Sequence, residues 1–250
     1  MKKLVLILFA IPFAFTVNAQ KGVLGTLNKA LGKDSTKVSS VLSKTTGGNG
    51  SLSNDEIIKG LKEALTIGTD SSTKRISKVD GFFKDAAIKI LMPEEAKKVE
   101  KTLRSFGMSA LVDKAILSMN RAAEDAASGI STIFWDAIKQ MSVKDGLSIL
   151  RGGDFAATEF LKKNTSAVLT EKMRPVIQAS LDKVNATQYW KDVFTAYNRF
   201  SKQPVNTDLN AYVTSRAMEG VFYEIGLEEQ KIRKDPAAQV TDLLKKVFGK

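Results

Sequence analysis

The chain has 250 residues, 43% of them hydrophobic and 26% charged, which is enough apolar surface for a self-sufficient core and too much for a disordered chain. It contains no cysteine and no histidine, so disulfides, Ser-His-Asp and Cys-His nucleophilic sites and ordinary zinc sites are excluded. Carboxylate, lysine, tyrosine and arginine chemistry survive that filter, and the formal net charge of +11 fits either lysines that solvate helix faces and keep the protein soluble or a site for an anionic partner.

Lys2 and Lys3 precede an apolar run from Leu4 to about Val17, and Val17-Asn18-Ala19 supplies the small side chains that signal peptidase requires. Residues 1–19 are therefore expected to be a signal peptide cut after Ala19, since the run is shorter than the ~20 residues a bilayer span needs. Loss of Lys2 and Lys3 with the signal leaves +9 from side chains. No lipid can be attached without a lipobox cysteine, so the expected product is periplasmic or extracellular, soluble and without a transmembrane span. Nucleic acid is not an expected partner, because the compartment is wrong and no basic stretch is interleaved with aromatics. Anionic lipid, a glycan or an envelope protein fits better, and no cofactor is expected.

Residues 20–52 are rich in Gly, Ser, Thr and Lys and end in Thr46-Gly47-Gly48-Asn49-Gly50, a composition that reads as a flexible leader. From residue 53 to 250 the pattern turns helical. Ser53-Asn54-Asp55-Glu56 is a capping box, and Ile57, Ile58, Leu61 and Leu65 follow at helical spacing, to about Lys78. Phe82 to Met92, with Ile88, Ile90 and Leu91, is locally extended and closed by Pro93; any strand there is short and solitary. Pro93 suits a first helical position, Val99, Leu103 and Phe106 point inward, and Gly107 stops that helix. Ser109 is placed as the cap of a long helix carrying Leu111, Val112, Ile116, Met119 and Ala123, kinked or divided at Gly129 before Phe134, Ile138 and Met141.

Ser142 with Asp145 caps a short helix to Leu150, Arg151-Gly152-Gly153 breaks it, and Asp154 is the expected cap of another through Phe155, Phe160 and Leu161. Further helices are expected over 166–184, bent at Pro175, over 187–200 and over 208–233, the last ended by Asp235-Pro236. Gln203-Pro204 reads as a loop, and Thr241 with Asp242 opens a final amphipathic helix that either docks on the domain or lies on a membrane surface. With no series of alternating strands, the fold class is all-α: a single multi-helix bundle behind a flexible leader.

Gly60-Leu61-Lys62-Glu63-Ala64-Leu65, Leu117 to Glu124, Ala137 to Met141, Gly152-Gly153-Asp154 with Ala156-Ala157-Thr158, Lys231 to Ala238 and Thr241 to Gly249 occur in this order. They resemble a bacterial family known as a domain of unknown function, number forty-one ninety-seven, over almost the whole mature chain. The resemblance implies a helical, signal-bearing envelope protein and carries no activity, ligand or catalytic residue with it. Some relatives are lipoproteins, a pattern from which this cysteine-free chain departs.

The candidate binding residues are Asn120, Arg121 and Glu124, with Asp136, Lys139 and Arg174 as possible completions of the same network. Asn120 and Glu124 lie one helical turn apart in an alanine-rich stretch, and Arg121 reaches Glu124 or Asp125. Such a group either orients a polar or anionic ligand, supplies acid and base carboxylates for hydrolysis of glycans or phosphoesters, or forms an inter-helix salt bridge that sets register. Arg151-Gly152-Gly153-Asp154 lacks the Gly-Lys-Ser/Thr spacing of a phosphate loop and reads as a helix-helix turn. Tyr189, Trp190, Phe194, Tyr197 and Phe200 form a helical stripe suited to the core or to a groove. Three functions follow: a non-enzymatic ligand- or partner-binding envelope protein, a carboxylate-dependent hydrolase, or a membrane-surface binder.

Overall fold

A computed structural model of the chain describes residues 53–198, 204, 208–235, 239, 245 and 247; at 189, 192, 193, 196 and 197 it describes the backbone alone. The expected signal peptide and leader, Phe200, and most of the final amphipathic helix lie outside these residues. All regular structure among the described residues is helical, as the hydropathy pattern predicts.

Helix α1, Asn54–Ile76, starts at the expected capping box: the Ser53 hydroxyl accepts the Glu56 N–H while Glu56 accepts the Ser53 N–H. α2 is Lys97–Ser105, α3 Ser109–Ala127, α4 Ser131–Gln140, α5 Val143–Arg151, α6 Ala156–Asp182, α7 Ala186–Asn198 and α8 Leu209–Lys234. The long helices α6 and α8 run against each other, α3 lies on α6, and α1 on α8. Along α6 the side chains of Leu161, Leu169, Met173, Ile177 and Leu181 repeat at multiples of four and are fully buried. Steps of four turn the side chain by about 40° each, so these residues wind part-way round a helix that packs against α8, α3 and α4, and Val213, Ala217 and Val221 of α8, also fully buried, hold to the same spacing. The edge of Phe134 meets the ring of Phe222 at 6.0 Å between centroids.

Several boundaries move from where the sequence places them. Gly107, at φ 78°, ends α2 as expected, with Gly107 N–H donating to Arg104 O and Met108 N–H to Leu103 O, the paired bonds of a Schellman turn. Phe106, expected to point inward, is instead 75% exposed at this turn, and Leu111 is also exposed. Ser109 is the first residue of α3 rather than its cap, and Met108 in the cap position makes no side-chain bond. Gly129, at φ 81°, divides the predicted long helix into α3 and α4. The two helices expected over 154–161 and 166–184 are one continuous helix, α6, because Thr165, Ser166 and Thr170 return their hydroxyls to carbonyls a turn back and leave the backbone ladder intact.

Residues 77–93 are irregular, and the short strand considered for Phe82 to Met92 does not form. The segment nonetheless buries Phe82, Ile88, Ile90 and Met92 in the core. Gly220 of α8 makes room for it: a Cβ there would stand 2.5 Å from the buried Phe82 ring.

Candidate functional site

A buried polar group collects where this irregular strap crosses α3. Asn120 is fully buried and treats Ile90 as a strand partner would: its Oδ1 accepts the Ile90 N–H at 2.9 Å, while its Nδ2 donates to Ile90 O at 2.8 Å and to Ile116 O at 2.7 Å. One turn on, Glu124 Oε1 accepts the N–H groups of Phe82 and Phe83 at 3.0 and 3.1 Å. Arg121 closes the arrangement, donating to Glu124 Oε2 at 2.5 Å and to Asp80 Oδ1 at 2.7 Å. Asp80 adopts φ 72°, which an aspartate tolerates better than most residues, and its second oxygen meets Lys84 at 2.9 Å. Its carboxyl is held below the usual carboxylate range by hydrogen bonding to Lys84 and then to Arg121, while Asp80 and Glu124 hold the Arg121 guanidinium above its own.

Asn120, Arg121 and Glu124 are thus brought together, as the spacing suggests, and Asp80 joins them in place of Asp125. Asp125 instead accepts a hydrogen bond from Ser180 on α6. The other three candidates stand elsewhere. Asp136 and Lys139 form an exposed pair on α4, 3.5 Å apart, and Arg174 meets Asp208 at 3.2 Å at the start of α8. Helix rotation explains this: Asp136 and Lys139 share α4 with the buried Phe134 and Ile138 and must face the other way.

A second carboxylate repeats the device of Glu124. Glu229 of α8 accepts the N–H groups of Ala157 and Thr158 at 2.9 and 2.8 Å and the Thr158 hydroxyl at 2.7 Å, so the first turn of α6 is capped from another helix. Arg233 holds Glu229 at 2.7 Å and donates to Ile149 O at 3.0 Å. Asp154, expected to cap α6, pairs with Lys234 at 2.5 Å instead. The glycines of Arg151-Gly152-Gly153-Asp154 therefore make a helix-helix turn, and the amides beyond them are already occupied. A third buried carboxylate, Glu224, takes Arg75. Burial lowers that guanidinium, but Glu224 and Glu228 outweigh it and raise it.

Arg121 also borders an open cleft of about 780 Å³ between α3, the end of α6 and α7. Its walls are mostly apolar, with Met92, Leu103, Leu111, Val112, Trp190 and Phe194 among them. Trp190 and Phe194, from the predicted aromatic stripe, stand 4.4 Å apart between ring centroids, each buried yet presenting part of its surface to the cleft. Tyr212 stacks on Trp190 and ties the strap down through a 2.8 Å bond to Leu91 O. Polar groups form one stripe of α3, namely Lys114, Ser118, Arg121 and Asp125, and Ser180 of α6 and Lys183, the residue that caps the C-terminus of α6, line the same cleft. The stripe follows from steps of four, three and four residues, which keep side chains on one helix face. Sequence reading singles out Arg121 but misses Lys114 and Ser118, for which that spacing is the available signal, and Lys183, for which no local signal exists. Asp80 was missed too, although Asp80-Gly81 is a turn dipeptide.

A family model for a protein of unknown function (DUF4197) matches residues 51–249. The chain belongs to the DUF4197 family. No curated protein and no solved structure matches it. Two stretches that carry the DUF4197 resemblance meet in space beside the Glu229 clamp, where Lys234 of one donates to Asp154 of the other. Among the described residues, no helix is long and apolar enough to cross a membrane, and no cluster of acidic side chains could hold a metal ion.

Proposed function

We propose that this DUF4197 protein is exported through the signal in residues 1–19, carries residues 20–52 as a leader before the helical domain, and acts in the periplasm or outside the cell as a non-enzymatic binding protein. Its ligand is an amphiphile with an apolar chain and an acidic head. The observation that carries this reading is the cleft: about 780 Å³ of mostly apolar wall with Lys114, Arg121 and Lys183 on its border. A volume of that order, apolar with a few placed polar groups, is what small-ligand sites share. Buried chain supplies affinity through the hydrophobic effect, and the cationic side chains favour a carboxylate or phosphate at the mouth.

The hydrolase alternative draws less support. A glycan hydrolase needs two carboxylates facing one cleft; Asp125 is the carboxylate this cleft offers among the described residues, while Asp80 and Glu124 are already committed to Arg121, Lys84 and backbone N–H groups. Titration of a fluorescent long-chain fatty acid tests the binding reading. Saturable binding with a Kd near the micromolar range is expected, abolished in Ala115→Trp, whose indole would fill the cleft, and weakened about tenfold in Lys114→Glu with Lys183→Glu. Equal binding by wild type and Ala115→Trp would remove the cleft from the account. Native mass spectrometry of protein taken from its own cells then identifies the head group.

A further inference from the structure

Part of the exposed apolar surface of the described residues gathers beside the cleft, while Val79, Val143, Phe155, Val168, Val176, Tyr223 and Leu227 stand elsewhere. Of the twelve large hydrophobic side chains that stand exposed among the described residues, Leu111 and Val184 line the cleft, Leu91 adjoins its lining residue Met92, and Phe106 and Met108 form the turn between the helices that contribute Leu103 and Leu111. Phe106 is 75% exposed and Met108 48%. The turn that carries them is fixed by its Schellman bonds and by Arg104, which ties α2 to α3 by holding Glu100 and Asp113 at 2.9 Å each. A rigid turn that offers a phenyl ring and a thioether to solvent is stable in water only at a cost in exposed apolar area, and it joins two helices that each contribute a wall residue, Leu103 and Leu111, to an apolar cleft.

Charge supplies the second half of the argument. Glu94, Glu100 and Asp113 are engaged by Lys97 and Arg104, whereas the exposed Lys98, Lys101, Lys114 and Lys183 form no ion pair among the described residues. The chain as a whole stands at +11. We infer that the α2–α3 turn is a membrane-docking tip: Phe106 and Met108 enter the headgroup layer of an anionic bilayer, the neighbouring lysines contact lipid phosphates, and the cleft mouth is set at the interface so that its amphiphile passes in from the lipid phase. This rests on the cleft reading for its second half only; the docking itself does not.

The experiment uses the full processed chain and vesicles of phosphatidylglycerol and phosphatidylcholine in equal parts, or of phosphatidylcholine alone. Wild type should co-sediment with the anionic vesicles, more weakly as salt rises, and should draw a fluorescent fatty acid out of them. Phe106→Ser with Met108→Ser should lower vesicle partitioning about tenfold and slow extraction equally, yet bind the same fatty acid from aqueous solution with unchanged affinity. Ala115→Trp should still sediment with vesicles and extract nothing. Undiminished vesicle binding by the tip variant overturns the inference, as does a wild-type dimer in sedimentation velocity that the tip variant dissolves. Failure of wild type to bind fatty acid from solution condemns the cleft instead, and the vesicle arm still decides the tip.

Discussion

Glu124 and Glu229 use the same device in two settings. Each carboxylate takes two consecutive backbone N–H groups from a distant part of the chain and is held by an arginine on its own helix, three residues before in one case and four after in the other. At Glu229 the arginine side chain is 14% exposed and spends another bond on Ile149 O, so the clamp is closed and joins α5, α6 and α8. At Glu124 the arginine is 35% exposed, shares itself with Asp80 and borders the cleft. A buried charge is tolerated in both because each carboxylate oxygen finds a donor and an arginine supplies the opposite charge. The difference lies in what the arginine faces: backbone in one clamp, an open apolar cleft in the other. The same local chemistry thus serves as a fastener at one site and as a fastener plus a cationic border at the other.

The largest effect is expected at the closed clamp. Glu229→Ala should cost about 3–5 kcal/mol, because it strips Arg233 of its carboxylate and leaves the first amides of α6 buried without partners; urea unfolding measures it, and a loss under 1 kcal/mol would mean that the clamp does not matter. Glu124→Ala should cost somewhat less, about 2–4 kcal/mol, since Arg121 keeps Asp80 and reaches water. Asn120→Ala should cost about 2–3 kcal/mol, leaving the N–H and carbonyl of Ile90 unmatched in the core, and hydrogen exchange at the Ile90 amide should rise in that variant before exchange elsewhere. Arg121→Ala separates the clamps functionally: stability should fall by about 1–2 kcal/mol, and affinity for an acidic amphiphile should fall as well, whereas Arg233→Ala should leave affinity per folded molecule unchanged.

Acid sharpens the same contrast with a smaller effect. The Asp80 carboxyl is depressed by Lys84 and Arg121, and the Asp145 carboxyl by the hydroxyl and N–H of Ser142. A carboxyl whose folded pKa lies below its unfolded value contributes stability above the unfolded value, about 3.9 for aspartate, and that contribution is lost as pH falls through the folded one. Urea midpoints should therefore decline from about pH 4 downward, and Asp80→Asn with Asp145→Asn should flatten the decline. Smallest of all, Phe106→Ser should move stability by no more than about 0.5 kcal/mol, as an exposed side chain should.

Local signals placed most of the helices. Two capping boxes, at Ser53 and Ser142, two glycines in the left-handed region, at 107 and 129, and the Asp208 cap of α8 are determined by a few neighbouring residues, so they could be read directly. The Asn120-Arg121-Glu124 cluster was legible for a related reason, since helical periodicity puts Asn120 and Glu124 on one face. What they bind was not. Asn120 meets Ile90 from 30 residues away, Glu124 meets Phe82 from 42, and Glu229 meets Ala157 from 72. Asp154 looks like a cap because the rule for caps is local, yet Glu229 takes the amides it would have served. Asp136, Lys139 and Arg174 fail as partners because the rotation of each helix about its axis is set by which stripe enters the core. Most helix starts and stops, and the apolar side of most helices, follow from neighbouring residues alone, because hydrogen bonding and side-chain spacing act over one or two turns. Which buried acceptor serves which distant amide, and where the helices leave a cleft between them, is set by packing, because both depend on how separate stripes meet.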